Sequence, residues 1–233
     1  MKASMKRAVR FYTSHRYENA LSELLSLDLD PAENPDVAYY LGLCYARLEQ
    51  YEEAILYLET VVTSDSDILH KYQSRMILSY IYIITGRLSL AAFELDALLD
   101  EGYESPQVYA AKSYVAYARK ETEESVELLE KAIAIDPENA NALNSLGFLL
   151  ADEGRDILKA LSLCKRAVHL KPDNPAYLDS LGWAYFKIGK VEEARAYLRK
   201  ALNLKSGKGE NEIARHLKAV IDAVDAADSE THT

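Results

Sequence analysis

The side chains here that could move protons, hold a metal or attack a carbonyl are few: five histidines, two cysteines and three pairs of adjacent glutamates in 233 residues. A metal centre needs histidine, cysteine or carboxylate ligands at short, regular spacings. His15, His70, His169, His216 and His232 instead fall in separate segments of the chain. Cys44 and Cys164 have no neighbouring histidine or lysine pattern that would activate a thiolate. No glycine-rich phosphate loop and no Gly-x-Ser-x-Gly turn is present. The pairs Glu52-Glu53, Glu123-Glu124 and Glu192-Glu193 each open a helical segment, where carboxylates favour the helix dipole and water. A catalytic set would have to be assembled from scattered polar residues such as Asn144, Asp152 and Asp179, and no local pattern supports one. The expectation is therefore a chain that is not an enzyme, with no catalytic residues, metal or cofactor.

The elements that position these residues follow a repeat of about 34 residues. Counting Pro175 as position 1 places Leu178, Leu181, Gly182, Tyr185, Ala194, Leu198 and Ala201 at 4, 7, 8, 11, 20, 24 and 27. The same frame fits copies starting at Met1, Pro35, Tyr72, Pro106 and Ala140, with three extra residues before Tyr72 and one inserted in the fifth copy. Position 8 is always small (Ala8, Gly42, Ser79, Ser113, Gly147, Gly182), and so is position 20 (Ala20, Ala54, Ala91, Ser125, Ala160, Ala194). Position 24 is large and apolar in five copies and Cys164 in the other. Apolar residues return at three- and four-residue steps, which predicts helices. Two helices crossing at small residues approach to about 8–10 Å between axes. Asn34-Pro35, Ser105-Pro106 and Asn174-Pro175 read as helix starts, a capping side chain followed by proline in the first turn.

This set of columns resembles the tetratricopeptide repeat, a helix-turn-helix unit that stacks into a solenoid. The resemblance covers residues 1–208 as six repeats (1–34, 35–71, 72–105, 106–139, 140–174, 175–208). Ala8, Ser79 and Ser113 depart from the favoured glycine. It implies an all-α, right-handed α-solenoid with a C-terminal capping helix over 209–227, after a turn at Lys205–Gly209, and a disordered tail at 228–233. Ile213, Leu217, Val220, Ile221 and Val224 form the apolar stripe of that cap.

In this family the first helix of each repeat lines a concave surface through positions 2, 5, 9, 12 and 13. The resemblance therefore implies a partner-binding groove made of Tyr39, Leu43, Met76, Tyr80, Ile83, Tyr114, Tyr117, Asn141, Asn144, Phe148, Asp179, Trp183 and Phe186. The trough is apolar and tyrosine-rich, with a polar end at Asn141, Asn144, Asp152 and Asp179. The carboxylate clamp of chaperone-binding members requires Lys, Asn and Arg where this chain has Tyr39, Tyr40, Leu43, Met76, Ile77 and Tyr80. Recognition of a C-terminal carboxylate is not expected. The implied role is a non-catalytic adaptor or scaffold whose partner is a protein, either a peptide or a helix segment. The alternative is a self-associating scaffold, a homo-oligomer within a larger bacterial, envelope-associated assembly, joined through the stripe of the terminal helix.

Composition narrows the partners further. A net charge of −10 argues against a nucleic-acid surface, which needs basic residues to release counterions. No run of about 18 apolar residues is present, so no direct membrane insertion is expected. Met1–Arg7 is basic but no apolar core follows it, so no signal peptide is expected. The expected location is cytoplasmic, or periplasmic or envelope-associated if a leader has been removed. Cys44 and Cys164 lie three repeats apart, too far to bridge.

Overall fold

The computed structural model describes residues 2–205 and 212–230, with side chains from residue 4 to residue 226. Among the described residues all regular structure is helical. Residues 1–104 and 105–233 form two units. The first contains α1 (Lys2–Thr13), α2 (Tyr17–Leu25), α3 (Pro35–Arg47), α4 (Tyr51–Thr63), α5 (Ile68–Ile84) and α6 (Leu88–Asp100). The second contains α7 (Pro106–Ala118), α8 (Thr122–Ile135), α9 (Ala140–Asp152), α10 (Ile157–Leu170), α11 (Pro175–Lys187), α12 (Val191–Leu204) and α13 (Glu212–Glu230). Within each unit, odd and even helices pair as hairpins and each hairpin packs on the next. The architecture is an all-α repeat solenoid. No helix of the described residues is long and apolar enough to cross a membrane.

Each hairpin closes through the columns seen in the sequence. Positions 8, 20 and 24 are buried in all six copies. A Cβ placed on Gly42 would lie 2.7 Å from Leu58 Cγ, and one on Gly182 would lie 2.7 Å from Leu198 Cγ. On Gly147 it would lie 2.6 Å from Cys164 Sγ. The position-24 side chain therefore occupies the space that a larger residue at position 8 would need. Where serine replaces glycine, its hydroxyl bonds its own helix: Ser79 Oγ donates to Met76 O at 2.8 Å and Ser113 Oγ to Ala110 O at 3.1 Å. Burying the leucine plug of a hairpin contributes about 1.5–3 kcal/mol.

A further column, at position 15, shapes the turn inside each hairpin. His15, Glu49, Gly86, Lys120, Gly154 and Gly189 all have φ between 58° and 81°. The next residue's N–H then reaches back five residues, as in Gln50 N to Tyr45 O and Arg87 N to Tyr82 O, with all six such bonds at 2.7–3.0 Å. This left-handed closure satisfies carbonyls that the helix end would otherwise leave open. Three copies achieve it without glycine.

Helix starts differ from expectation in two places. Asn174 Oδ1 accepts from Ala176 N and Tyr177 N, and Ser105 Oγ accepts from Val108 N. Asn34 makes no side-chain cap; its amide donates to Asp30 O at 2.8 Å instead. The three residues inserted before Tyr72 do not form a loop. They extend α5, which begins at Ile68 under an Asp67 cap and runs 17 residues against 13 in α3.

In the first unit α5 and α6 are tied by an ion pair between half-buried Arg75 and buried Glu94, Nη1 to Oε2 at 2.7 Å, with Arg75 Nη2 3.2 Å from Glu101. Burial pushes the Glu94 carboxyl above the ordinary value, against the pull of Arg75. In the second unit α13 packs on α12 and α11, with Ile213 and Val220 buried and Ile221 exposed. It continues to Glu230, past residue 227, where the sequence placed the start of a disordered tail. Of the expected turn at Lys205–Gly209, residues 206–209 lie outside the described residues, as do the last three residues of the chain.

Candidate functional site

The thirteen groove residues do not form one row of available side chains. In the first unit, Tyr39 and Leu43 are each only 7% exposed. They share a core cluster with Ala38 and Val61, against which Tyr12, Tyr40 and Ile77 pack. The Tyr39 ring stacks on His70 with centroids 4.0 Å apart, and its hydroxyl hydrogen-bonds Gln73. Burial pushes that hydroxyl up to about 12. Met76 and Ile83 are half-buried. Tyr80 is the exposed member, at 61%.

In the second unit, the first helices α7, α9 and α11 bring the remaining residues together. Tyr114 is 54% exposed and Tyr117 37%; Asn141 is also exposed. Asn144, Phe148, Trp183 and Phe186 are half-buried, and Asp179 is buried. Tyr117 Oη lies 3.5 Å from Asp152 Oδ2, and Trp183 Nε1 donates to Asp152 Oδ1 at 3.1 Å. Lys187 Nζ donates to Asp152 O at 3.1 Å and sits 5.0 Å above the Trp183 ring. Burial raises the Tyr117 hydroxyl, reinforced by the charges of Asp152, Glu153 and Glu212 and by its bond to Asp152. Between these helices opens a pocket of about 490 Å³, with Tyr114, Phe148, Asn144, Asp179 and Glu212 among its walls. Among the described residues, Asn144 Oδ1 is buried there without a hydrogen-bond partner.

The lone tryptophan is covered by the chain itself. His216 of α13 stacks on Trp183 at 4.4 Å between centroids and 21° between planes. Its Nδ1 lies 2.9 and 3.0 Å from the two carboxylate oxygens of Asp179. Trp183 thus faces the terminal helix rather than solvent. His216 was not among the sequence-derived site residues. The signal lay in its register, three residues after buried Ile213 and four before buried Val220, which sets it on the docking face of α13. Of the apolar stripe of α13, Ile213 and Val220 are buried against the neighbouring helices, Leu217 and Val224 are half-buried and Ile221 is exposed.

Of the polar set Asn144, Asp152 and Asp179, the first and third line the same pocket, whereas Asp152 braces Tyr117 and Trp183 beside it. The paired glutamates lie in the first turns of α4, α8 and α12. Glu52 and Glu123 bind Arg87 and Arg155, the residues that follow the turns of the next hairpins. Burial pushes the Cys44 and Cys164 thiols up to about 12.

Comparison with known proteins agrees with this geometry. Family profiles described as tetratricopeptide repeat match residues 5–67 and 175–207, and one described as TPR repeat matches 114–154. Together they span more than half of the chain. No curated protein sequence matches. Among solved structures, MamA is similar over 74% of this chain and 92% of its own, at 22% identity and a TM-score of 0.59. YrrB, described as a TPR protein with an unusual peptide-binding site, is similar over 80% of this chain and 93% of its own, at 18% identity and a TM-score of 0.57. A chain of the Cut9–Hcn1 hetero-tetramer of APC/C is similar over 93% of this chain and 42% of its own, at 12% identity and a TM-score of 0.77. The repeat columns, the hairpin stacking and the three profile matches together place this chain in the tetratricopeptide repeat family.

Proposed function

We propose that this chain is a non-catalytic adaptor that holds a segment of a partner protein against the first-helix wall of its second unit. The observation that carries this reading is Tyr114, a large ring 54% exposed on the rim of a pocket whose floor includes Phe148. Exposed aromatic rings beside a concavity are the anchors on which binding energy concentrates, and truncating a true anchor costs at least about 2 kcal/mol. Tyrosine combines an apolar face with a hydroxyl, so it tolerates both the free and the bound state. Tyr117 lines the same pocket, and exposed Asn141 lies in the first turn of α9. Tyr80 is the corresponding exposed ring of the first unit, whereas Tyr39, Leu43 and Trp183 support the wall from within. That YrrB carries a peptide-binding site is in keeping with this use of the fold. A cytoplasmic location is compatible with two buried, reduced thiols.

The test is selection of binders from a displayed random peptide library, followed by affinity measurement with Tyr114→Ala and Phe148→Ala. Selected peptides should bind the variants at least tenfold more weakly. Selected peptides that bind both variants as well as the parent would place the binding surface elsewhere.

A self-associating scaffold is the second reading. It is favoured by Leu56 and Phe93, both at position 22 of their repeats in the first unit and both more than 60% exposed. Sedimentation of Leu56→Glu with Phe93→Glu, and of the chain truncated after Gly209, tests it. An oligomer lost in the first and kept in the second would support association through this column.

A further inference from the structure

We propose that the pocket of the second unit receives the guanidinium of an arginine carried by the bound partner segment. This rests on the reading that the wall around Tyr114 is a docking surface. The pocket opens between α7, α9 and α11 and is bordered by the first residue of α13, Glu212. At about 490 Å³ it admits one long side chain and the peptide bonds beside it, not a helix. Its ionisable walls are Asp179 and Glu212, and among the described residues no lysine or arginine lines it. Asp152 and its neighbour Glu153 add negative charge at the Tyr117 side, with Asp152 Oδ2 3.5 Å from Tyr117 Oη. Among the described residues, the imidazole of His216 meets Asp179, Lys187 bonds the Asp152 carbonyl, and exposed Arg215 lies 3.9 Å from Glu212. The local field therefore favours a cation over an anion.

Two further features choose among cations. Among the described residues no donor reaches the buried Asn144 Oδ1, so a ligand N–H there supplies a hydrogen bond to it. The aromatic rings of Tyr114 and Phe148 line the same space. A guanidinium stacks on such faces and spreads several N–H donors in one plane, so it can serve Asn144 and a carboxylate together. An ammonium is a compact, strongly hydrated charge that stacks poorly and holds its water, so lysine is a weaker fit.

The test uses the full chain, labelled with nitrogen-15, and short peptides identical except for a central arginine, citrulline, lysine or glutamate. The arginine peptide should shift the Asn144 side-chain amide and the Tyr114 backbone amide, with a dissociation constant on the order of 1 mM for a single anchor. It should bind about tenfold more tightly than citrulline, which has the same shape without the charge. Asn144→Ala, Tyr114→Ala and Glu212→Gln should each weaken it several-fold while leaving the thermal unfolding curve in place. Asn144 Oδ1 has no partner among the described residues, Tyr114 is exposed, and Glu212 makes only an exposed ion pair within the first turn of α13. Equal binding of arginine and citrulline would overturn the arginine assignment yet leave the docking wall standing. Shifts spread over the acidic surface and unaffected by the three substitutions would also overturn it, as general attraction to a chain of charge −10. Absence of shifts around Tyr114 with every peptide would overturn both the arginine assignment and the wall as a site for extended segments.

Discussion

Replacing Gly147 by alanine should destabilise the second unit although alanine is the better helix former. The added methyl would meet Cys164 Sγ at 2.6 Å and two backbone atoms, Ala160 O and Cys164 N, each at 3.1 Å. The thiol is a short side chain with no flexible end to swing aside, and the backbone atoms move only if α9 and α10 separate. Overpacking of this kind costs about 1–3 kcal/mol, and the helix propensity gained is about 1 kcal/mol. Because two of the three obstacles are backbone, the cost belongs in the upper part of its range, leaving a net loss of about 1–2 kcal/mol. Cys164→Ala removes the closest obstacle, so the double variant should be more stable than the sum of the single losses by about 1 kcal/mol. Urea unfolding of the four proteins, followed by circular dichroism, measures both quantities. A Gly147→Ala protein as stable as the parent would refute the close crossing. Strict additivity with Cys164→Ala would refute the thiol as the obstacle.

Other outcomes follow from features already described. His216→Ala should uncover Trp183, the only tryptophan in the chain, shifting its fluorescence to longer wavelength and raising its quenching by acrylamide; an unchanged spectrum would mean that α13 does not shield the ring. Lys120→Gly should raise stability by about 0.5–1 kcal/mol, because it removes the strain of a left-handed side chain at φ 65°, and the urea midpoint reports it. Glu94 is raised above its ordinary value, so the folded state holds its proton more tightly than the unfolded chain. Its contribution is present below the unfolded value of about 4.3 and is lost as pH rises through the folded one. The parent should lose stability relative to Glu94→Gln across that window, and a difference independent of pH would contradict the burial. Cys44 and Cys164, held at about 12, should resist a thiol reagent at neutral pH until the chain is unfolded.

The repeat frame carried the architecture because columns 8, 20 and 24 record one contact made six times, each within a single hairpin and so within about 20 residues of chain. The wall was harder to read. Position 9 holds Leu43, Tyr80, Tyr114, Phe148 and Trp183, and the sequence treats them alike. Their exposure depends on what the neighbouring element supplies. Leu43 belongs to a core cluster against which Ile77 of the next hairpin and Tyr12 of the one before pack, whereas exposed Tyr114 lines a pocket. Trp183 is covered by His216, a residue 33 positions away on a helix outside the repeat frame. No periodicity within the repeats announces that contact. The left-handed column at position 15 has no signature in residue type, which varies from histidine to glycine, while only the backbone angle is shared.

The fifth repeat shows what such a joint permits. After Gly154 it carries one more residue than its neighbours, and the chain absorbs it by turning Asp156 into a second left-handed position, φ 37°, whose side chain caps α10 at Lys159 N. Both flanking helices keep their lengths and faces. These bends are therefore natural ports for added sequence: a reporter loop or affinity tag spliced beside Arg155 should leave the aromatic rim undisturbed, so that recognition and labelling can be engineered independently in the same molecule.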